Sequence, residues 1–154
     1  MYTRPIRRIT DAEWEQILVQ CVTVGTCLIW QGYTHCEGYA LIILDGKIYR
    51  LHRVVYTYFK GPIPPGLTID HVATCGCQSK ACISIDHLEA VTNRVNILRG
   101  NGVAGRNARQ THCKRGHPLT SENLIQYRTG RMRTCRLCSN LRYHLRRQRL
   151  GVVA

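Results

Sequence analysis

A stretch near the middle of the chain holds side chains that could hydrolyse a phosphodiester bond. Asp70 and His71 end the segment LTIDH, which is typical of a short strand, and Asn96 lies in a later segment with helical character. Carboxylate and amide oxygens bind a hard ion such as magnesium. A neighbouring neutral histidine can take a proton from water. These residue types indicate metal-assisted hydrolysis, although an Asp-His pair at a strand end is more often an ordinary polar pair.

The loop between Asp70-His71 and a second Asp-His pair is rich in residues that bind zinc. Four candidate ligands lie in or just after this loop: Cys75, Cys77, Cys82 and His87. These four could complete a zinc site by themselves. Alternatively, one ligand comes from an upstream sheet that contains Cys27 and Cys36, which would crosslink the loop to that sheet. We interpret Cys21 as a buried apolar side chain.

The C-terminal part contains a second set of four ligands with the spacing of a structural zinc site. Cys113 and His117 are separated by three residues, and Cys135 and Cys138 follow as a pair separated by two. Short spacers let both donors of a pair point at one ion, and tetrahedral zinc needs two such pairs. Between the pairs, a hairpin that turns at Thr129-Gly130 is predicted.

The role of the nine cysteines depends on the cellular compartment of the protein, because disulfides form mainly outside the cytosol. The N-terminal stretch MYTRPIRRIT has basic residues without an apolar core, so no secretory signal is predicted. The longest apolar run, YALIIL, is too short to span a membrane. We therefore predict a protein that is intracellular, not secreted and not membrane-bound, whose cysteines bind zinc in preference to forming disulfides.

The net charge of +13 is concentrated in one part of the chain. Residues 1–90 carry eight basic and eight acidic residues, whereas residues 91–154 carry 14 basic residues and one acid, Glu122. Arginine makes bidentate phosphate contacts, so this distribution predicts a nucleic acid partner. The arginines predicted to contact it are Arg50, Arg53, Arg99, Arg106, Arg109, Arg142 and Arg146. Arg50 and Arg53 are also candidates for a phosphate clamp at the active site.

The order of predicted elements indicates an α+β protein. Thr10 and Glu13 form a capping-box pattern, so a helix is predicted after Thr10. Two or three strands follow, with turns at 35–38 and 45–46, and then a helix from Leu51 to Gly61. Residues 67–99 are predicted as a strand, a long loop, a strand and a helix. The predicted domain organisation is an N-terminal helical extension (1–24), a core (25–100), a basic linker (101–112), a zinc module (113–139) and a basic helical tail (140–154).

The order Asp70-His71, His87, Asn96 resembles the signature of HNH endonucleases. The flanks HRVVYTYFKGPIPPGLTIDH, HLEAVTNRVNILRG and RNARQTHCKRGHPLTSENL are similar to the small freestanding HNH endonucleases of phages, over residues 25–140. The resemblance implies a ββα-metal (His-Me finger) nuclease core with an antiparallel sheet. By position it implies His71 as the general base, and Asp70 and Asn96 as ligands of the catalytic divalent ion.

The histidine in the middle of this signature is similar to the one in His-Cys box homing endonucleases. There such a histidine completes a structural zinc site with two loop cysteines and one upstream cysteine. This similarity implies Cys27, Cys77, Cys82 and His87 as the first zinc site, with Cys75 or Cys36 as the alternative fourth ligand. The chain departs from the pattern in its longer loop after His71 and in having an Asp before the base.

The function implied is a DNA endonuclease that uses one Mg²⁺ or another divalent ion and is stabilised by two structural Zn²⁺. Its partner would be double-stranded DNA, and its setting homing or phage genome processing, in the host cytoplasm if a phage encodes it; a homodimer is left open. The alternative is a zinc-stabilised DNA- or RNA-binding regulator without catalysis, which gives no reason for Asp70, His71 and Asn96 to stand at nuclease spacing. A zinc scaffold for protein partners would leave the basic half unexplained.

Overall fold

The computed structural model describes residues 5–72, 79–127 and 133–151. These residues form five α-helices and eight β-strands, in two compact units that comprise residues 1–97 and 98–154. In chain order the elements are α1 (Asp11–Val19), β1 (Cys21–Val24), β2 (Cys27–Trp30), β3 (Leu41–Leu44), β4 (Lys47–Arg50), α2 (Leu51–Lys60), β5 (Leu67–His71), β6 (Leu88–Thr92), α3 (Asn93–Arg99), α4 (Val103–Arg109), β7 (Leu124–Gln126), β8 (Arg133–Cys135) and α5 (Arg136–Arg149). The prediction of an α+β protein is confirmed.

Helix α1 begins with the capping box that the sequence predicts. The Thr10 hydroxyl accepts from the Glu13 amide, and the Glu13 carboxylate accepts from the Thr10 amide. Arg7 donates to both Glu13 and Asp45, which ties the start of this helix to the β3–β4 turn. The residues predicted as an N-terminal extension contribute Ile9 and Ile17 to the core of the first unit, where both are buried.

The β3–β4 hairpin leads directly into α2. Asp45 and Gly46 form its turn and both have positive φ, 50° and 71°, as a two-residue turn between right-twisted strands requires. Helix α2 then buries Leu51, Val54 and Val55 completely, because their spacing places them on one face. The helix ends at Gly61, which has a φ of 84°.

Strands β5 and β6 pair antiparallel and α3 follows at once, so the predicted strand–strand–helix order is present. The pairing runs from Leu67 opposite Thr92 to His71 opposite Leu88. Beyond the last pair, the Val72 amide donates to the His87 carbonyl at 2.8 Å. The two ends of the connecting loop, residues 72–87, are therefore held side by side next to His71.

The returning end of this loop pairs with β2, which is more than 50 residues upstream. Ile29 forms a bridge with Cys82, and backbone hydrogen bonds join Trp30 to Ala81 and Ile83 to Leu28. Ser84 extends the pairing, because its hydroxyl accepts from the Leu28 amide and donates to the Thr26 carbonyl. This pairing brings β2 to the loop that carries the candidate zinc ligands.

The second unit contains α4, the β7–β8 hairpin and α5. The hairpin has the predicted strands, while its predicted turn at Thr129-Gly130 lies outside the described residues. Residues 101–112, predicted as a linker, contain the helix α4, whose buried residue is Gly105. Arg133 donates to the carbonyls of Asn107 and Ala108 at the end of this helix.

None of the helices in the described parts of the chain is both long enough and apolar enough to cross a lipid bilayer.

Candidate active site and zinc clusters

His71, the predicted general base, is held at the end of β5 by a backbone carbonyl. Its Nε2 lies 2.9 Å from the carbonyl oxygen of Cys82. A carbonyl can only accept, so Nε2 carries the proton and Nδ1 of the neutral ring keeps its lone pair. Burial lowers the pKa of His71, against the opposing effects of this hydrogen bond and of Asp70. The ring is therefore neutral near pH 7, with Nδ1 able to accept a proton.

Asp70 and Asn96, the predicted ligands of the catalytic ion, belong to β5 and α3 of the same strand–strand–helix segment. Both are half-buried. Asp70 pairs with Glu89 in the β5–β6 ladder, and Asn96 lies one turn into α3, whose first turn is capped by the Thr92 hydroxyl accepting from the Val95 amide. A carboxylate and an amide oxygen form a hard donor set, which fits magnesium, calcium or manganese better than zinc.

Three of the four residues predicted for the first zinc site converge in the structure, and we call them the first zinc cluster: Cys27, Cys82 and His87. The His87 Nδ1 lies 3.8 Å from the Cys27 Sγ and 3.4 Å from the Cys82 Sγ. A tetrahedral zinc with sulfur and nitrogen ligands has edges of about 3.5–3.8 Å. The separations fit zinc, and both Cys82 and His87 are buried.

Three further candidates for this site remain: Cys77, Cys75 and Cys36. Cys77, the predicted fourth ligand, and Cys75, an alternative, lie outside the described residues. Cys36 is exposed and its Sγ lies 3.5 Å from the Nδ1 of the adjacent His35, away from the first zinc cluster. Cys21 is half-buried and donates to the Ile17 carbonyl, and burial raises the pKa of its thiol to about 11.

The second zinc cluster brings together all four predicted residues: Cys113, His117, Cys135 and Cys138. The His117 Nδ1 lies 3.4, 3.7 and 3.2 Å from the sulfurs of Cys113, Cys135 and Cys138, respectively. These separations, like the 3.7 Å between the Cys113 and Cys138 sulfurs, are close to the edges of a zinc tetrahedron. Seven described cysteines are free thiols, which fits metal binding.

The chain folds around Cys113 in a way that prepares it to bind a metal. The Cys113 amide donates to the His117 carbonyl, and the Gly116 amide donates to the Cys113 carbonyl, each at 2.9 Å. The Arg115 amide points at the Cys113 Sγ at 3.4 Å. Gly116 has a φ of 80°, which a residue with a Cβ rarely adopts, so glycine permits the tight turn. The turn directs both ligands of this pair at one point.

His52 is a buried neighbour of the candidate base that the sequence did not single out. Its ring centroid lies 5.1 Å from that of His71 and 5.7 Å from that of Tyr39, and its Nδ1 has no hydrogen-bond partner among the described residues. Burial, and then the nearby His71, Arg50 and Arg53, lower the pKa of His52 to about 3. The signal in the sequence was its position three residues before Val55, on the buried face of α2.

The depressed pKa of His52 predicts a specific dependence of stability on pH. The unfolded chain binds a proton here below about pH 6.5 and the folded chain does not until about pH 3, so stability is lost as the pH falls between these values. Protonation of His52 contributes at most about 1.4 kcal/mol per pH unit to the slope of the free energy of unfolding against pH. Chemical denaturation at several pH values should give a shallower slope for His52→Asn than for wild type. His35→Asn, in the same unit but exposed, should keep the wild-type slope; equal slopes for all three would refute the prediction.

The arginines predicted to contact DNA have several environments. Arg53 is half-buried on α2, and burial lowers its pKa, with Arg50 contributing. Arg109 donates to the carbonyls of Leu98 and Gly100 and thus caps the end of α3. The other predicted contacts are exposed: Arg50, Arg99, Arg106, Arg142 and Arg146.

The second unit also has a cleft with a volume of about 400 Å³ beside the second zinc cluster. Four basic residues are among those that line it: Lys114, Arg115, Arg133 and Arg142. Of these, only Arg142 is among the arginines predicted from the sequence to contact nucleic acid. The cleft is open to solvent and positively charged, which fits binding of a phosphate backbone.

Comparison with known proteins finds a family similarity over part of the chain. Residues 49–98 match the family model described as HNH endonuclease. The chain is similar to the uncharacterized gene 5.3 protein of Enterobacteria phage T3, with 36% identity over 57 residues, which cover 37% of this chain and 52% of that protein. It is also similar to protein 7.7 of Escherichia phage T7, with 31% identity over 70 residues, which cover 46% of this chain and 51% of that protein.

These matches cover only part of this chain and of the relatives. The chain spans about half the length of the curated phage relatives it matches. No solved structure matches it. The family match begins in β4 and ends in α3, so it includes the β5–β6–α3 segment with Asp70, His71, His87 and Asn96. The resemblance to HNH endonucleases that these four residues indicate is therefore confirmed for residues 49–98.

Proposed function

We propose that the protein is a metal-dependent DNA endonuclease with His71 as its general base. The observation that carries this proposal is the hydrogen bond from His71 Nε2 to the Cys82 carbonyl, within a segment that matches HNH endonucleases. The bond fixes the tautomer and leaves Nδ1 as the proton acceptor. An unprotonated Nδ1 next in sequence to the Asp70 carboxylate is what a general base beside a ligand of the catalytic ion requires.

Each residue then has a defined part in hydrolysis. His71 Nδ1 removes a proton from water as the water oxygen forms a bond to phosphorus, and the bond from phosphorus to the 3′-oxygen breaks. Asp70 and Asn96 would hold the catalytic ion, for which magnesium is the best candidate. The chemistry that a bound ion supplies is stabilisation of negative charge on the phosphate and on the departing oxygen.

The two zinc clusters have a structural role in this proposal. Their cysteine-rich ligand sets, with four protein ligands in the second cluster, are typical of structural zinc, which leaves no open position for a substrate. In the first cluster, Cys82 contributes its Sγ to the zinc site and its carbonyl to His71. Zinc would thereby hold the loop that orients the base.

Double-stranded DNA is the proposed substrate because of the charge distribution. The exposed arginines on α4 and α5 and the basic cleft of the second unit would bind phosphates without reading sequence. Phage genome processing or homing is the proposed setting, from the similarity to the phage proteins.

The test is incubation of supercoiled plasmid with the zinc-loaded protein. Nicked or linear product is expected with Mg²⁺ and none with EDTA. The two Asp-His pairs provide a matched control: Asp70→Ala should abolish cleavage, because a ligand of the ion is lost, whereas Asp86→Ala, at an exposed position, should cleave like the wild type. If the wild type binds DNA but leaves it intact under varied divalent ions and DNA sequences, the protein is a binding protein without this activity.

A further inference from the structure

Tyr39 joins two cationic side chains that come from distant parts of the chain. The guanidinium carbon of Arg50, at the end of β4, lies 4.3 Å from the centroid of the Tyr39 ring. The ammonium nitrogen of Lys80, in the loop that returns to β2, lies 5.0 Å from the same centroid. Both distances are within the range in which an aromatic face attracts a cation. We call Arg50 and Lys80 the cation pair.

The cation pair has little compensating negative charge. The Arg50 guanidinium lies 3.8 Å from the Glu37 carboxylate, and both side chains are about half exposed. Among the described residues, no carboxylate forms an ion pair with Lys80 within 4 Å. Arg53, half-buried close to Arg50, adds a third positive charge. Bringing like charges together costs free energy unless an anion binds between them, so the arrangement favours an anionic ligand.

The cation pair is adjacent to the candidate base. The Tyr39 ring centroid lies 6.4 Å from the His71 ring, and Lys80 is close enough to His71 to oppose its protonation. The buried His52 ring packs against both, with its centroid 5.7 Å from that of Tyr39 and 5.1 Å from that of His71. An anion held by the cation pair would thus lie within about one nucleotide of the phosphodiester bond whose hydrolysis His71 would assist as general base.

We infer that Tyr39, Arg50 and Lys80 form a binding site for a single backbone phosphate, next to the scissile one, on the cleaved DNA strand. Tyr39 is the positioning residue of this site, because its ring is the surface that sets where the two cations lie. The inference rests on the proposed function, since it places the phosphate relative to the bond that is cleaved. It adds Tyr39 and Lys80, which the signature of the family segment does not include.

Substitutions at Tyr39 and Lys80 test the site with matched controls. Tyr39→Phe keeps the ring and should behave like wild type, whereas Tyr39→Leu should raise KM about three- to tenfold with little change in kcat. Lys80→Gln should lose about one phosphate contact. The slope of the logarithm of the DNA-binding constant against the logarithm of the salt concentration should therefore become shallower by about one. The controls are Tyr33→Leu and Lys47→Gln, at exposed positions, and both should match the wild type. Zinc content and circular dichroism verify folding of each variant.

Uncharged phosphate analogues locate the contact. Once the cleaved bond is mapped, methylphosphonates are placed one at a time at the flanking phosphates of a short duplex. At one flanking position, the methylphosphonate should weaken DNA binding by the wild type but should not weaken binding by Lys80→Gln any further. The reason is that the analogue and the substitution each remove one partner of the same ion pair. If no flanking position shows this coupling, the site does not hold a phosphate of the cleaved strand.

The outcomes separate this inference from the proposed function. If the wild type cleaves DNA while Tyr39→Leu and Lys80→Gln bind and cleave like it, the phosphate site is wrong and the endonuclease stands. If the wild type cleaves no DNA but Lys80→Gln still lowers the salt dependence of binding, the cation pair binds a DNA phosphate and the endonuclease proposal fails.

Discussion

His71→Ala should lower the rate of DNA cleavage by about 10²–10⁴-fold, the usual contribution of a general base. The reason is geometric: the Cys82 carbonyl holds the Nε2 proton, so Nδ1 is the nitrogen that can accept a proton from water. Alanine removes that acceptor without adding a charge or a larger side chain. The measurement is the rate of plasmid nicking at saturating Mg²⁺, with DNA binding followed separately.

The same variant should fold normally and keep its full zinc content. His71 belongs to neither zinc cluster, and its side chain is only half-buried. His144→Ala, at an exposed position on α5, is the control for loss of a histidine and should cleave like the wild type. If His71→Ala loses as much zinc as a ligand variant does, His71 has a structural role and the proposed mechanism is wrong.

Cys82→Ser should release one of two zinc ions and unfold or loosen the first unit. Structural zinc contributes an apparent 10–16 kcal/mol in small zinc-binding peptides, roughly the whole stability of a domain, about 5–15 kcal/mol. Cys82 is fully buried beside His87, so a serine there has neither a thiolate for the metal nor water around its hydroxyl. Zinc per chain by mass spectrometry and thermal unfolding are the two measurements.

Three comparisons make this prediction specific. Cys135→Ser should also lose one zinc ion, but from the second cluster, and should leave the unfolding of the first unit unchanged. Cys36→Ser should retain both ions, because Cys36 is exposed beside His35. Cys82→Ser should also lose cleavage, since the carbonyl that orients His71 moves with the loop. Normal stability and two zinc ions in Cys82→Ser would exclude the first cluster as a zinc site.

The parts of the fold that depend on neighbouring residues were predictable. Thr10 and Glu13 are three positions apart, Asp45 and Gly46 are adjacent, and the buried face of α2 follows from helical spacing. The strand–strand–helix order of β5, β6 and α3 was predicted for the same reason, and the family resemblance agreed with it. For the capping box, the β3–β4 turn and the buried face of α2, the determining interaction lies within one turn or one hairpin.

The parts that depend on distant pairing were not predictable from local patterns. Spacing alone could not separate Cys27 from Cys36, because the pairing of β2 with residues 81–83 decides which of them approaches Cys82. The same pairing brings Lys80 towards Tyr39, a contact with no trace in the sequence pattern. Helix α4 was missed because Gly102 and Gly105 suggested a flexible segment. In the structure, Arg133 donates to the carbonyls of Asn107 and Ala108 at the end of the helix, from 26 and 25 residues further along the chain.

The hydrogen bond from His71 to Cys82 also has an evolutionary consequence. Its acceptor is a main-chain oxygen, which every amino acid supplies, so no substitution at Cys82 can remove that acceptor chemically. The tautomer of His71, the candidate base, is therefore inherited with the path of the loop, and side chains there can vary as long as that path is kept. Selection on catalysis then acts on distant residues that keep the loop in place, such as Cys27 and Ser84. A homologue could keep Asp70, His71 and Asn96 unchanged and still lose activity through a mutation in β2.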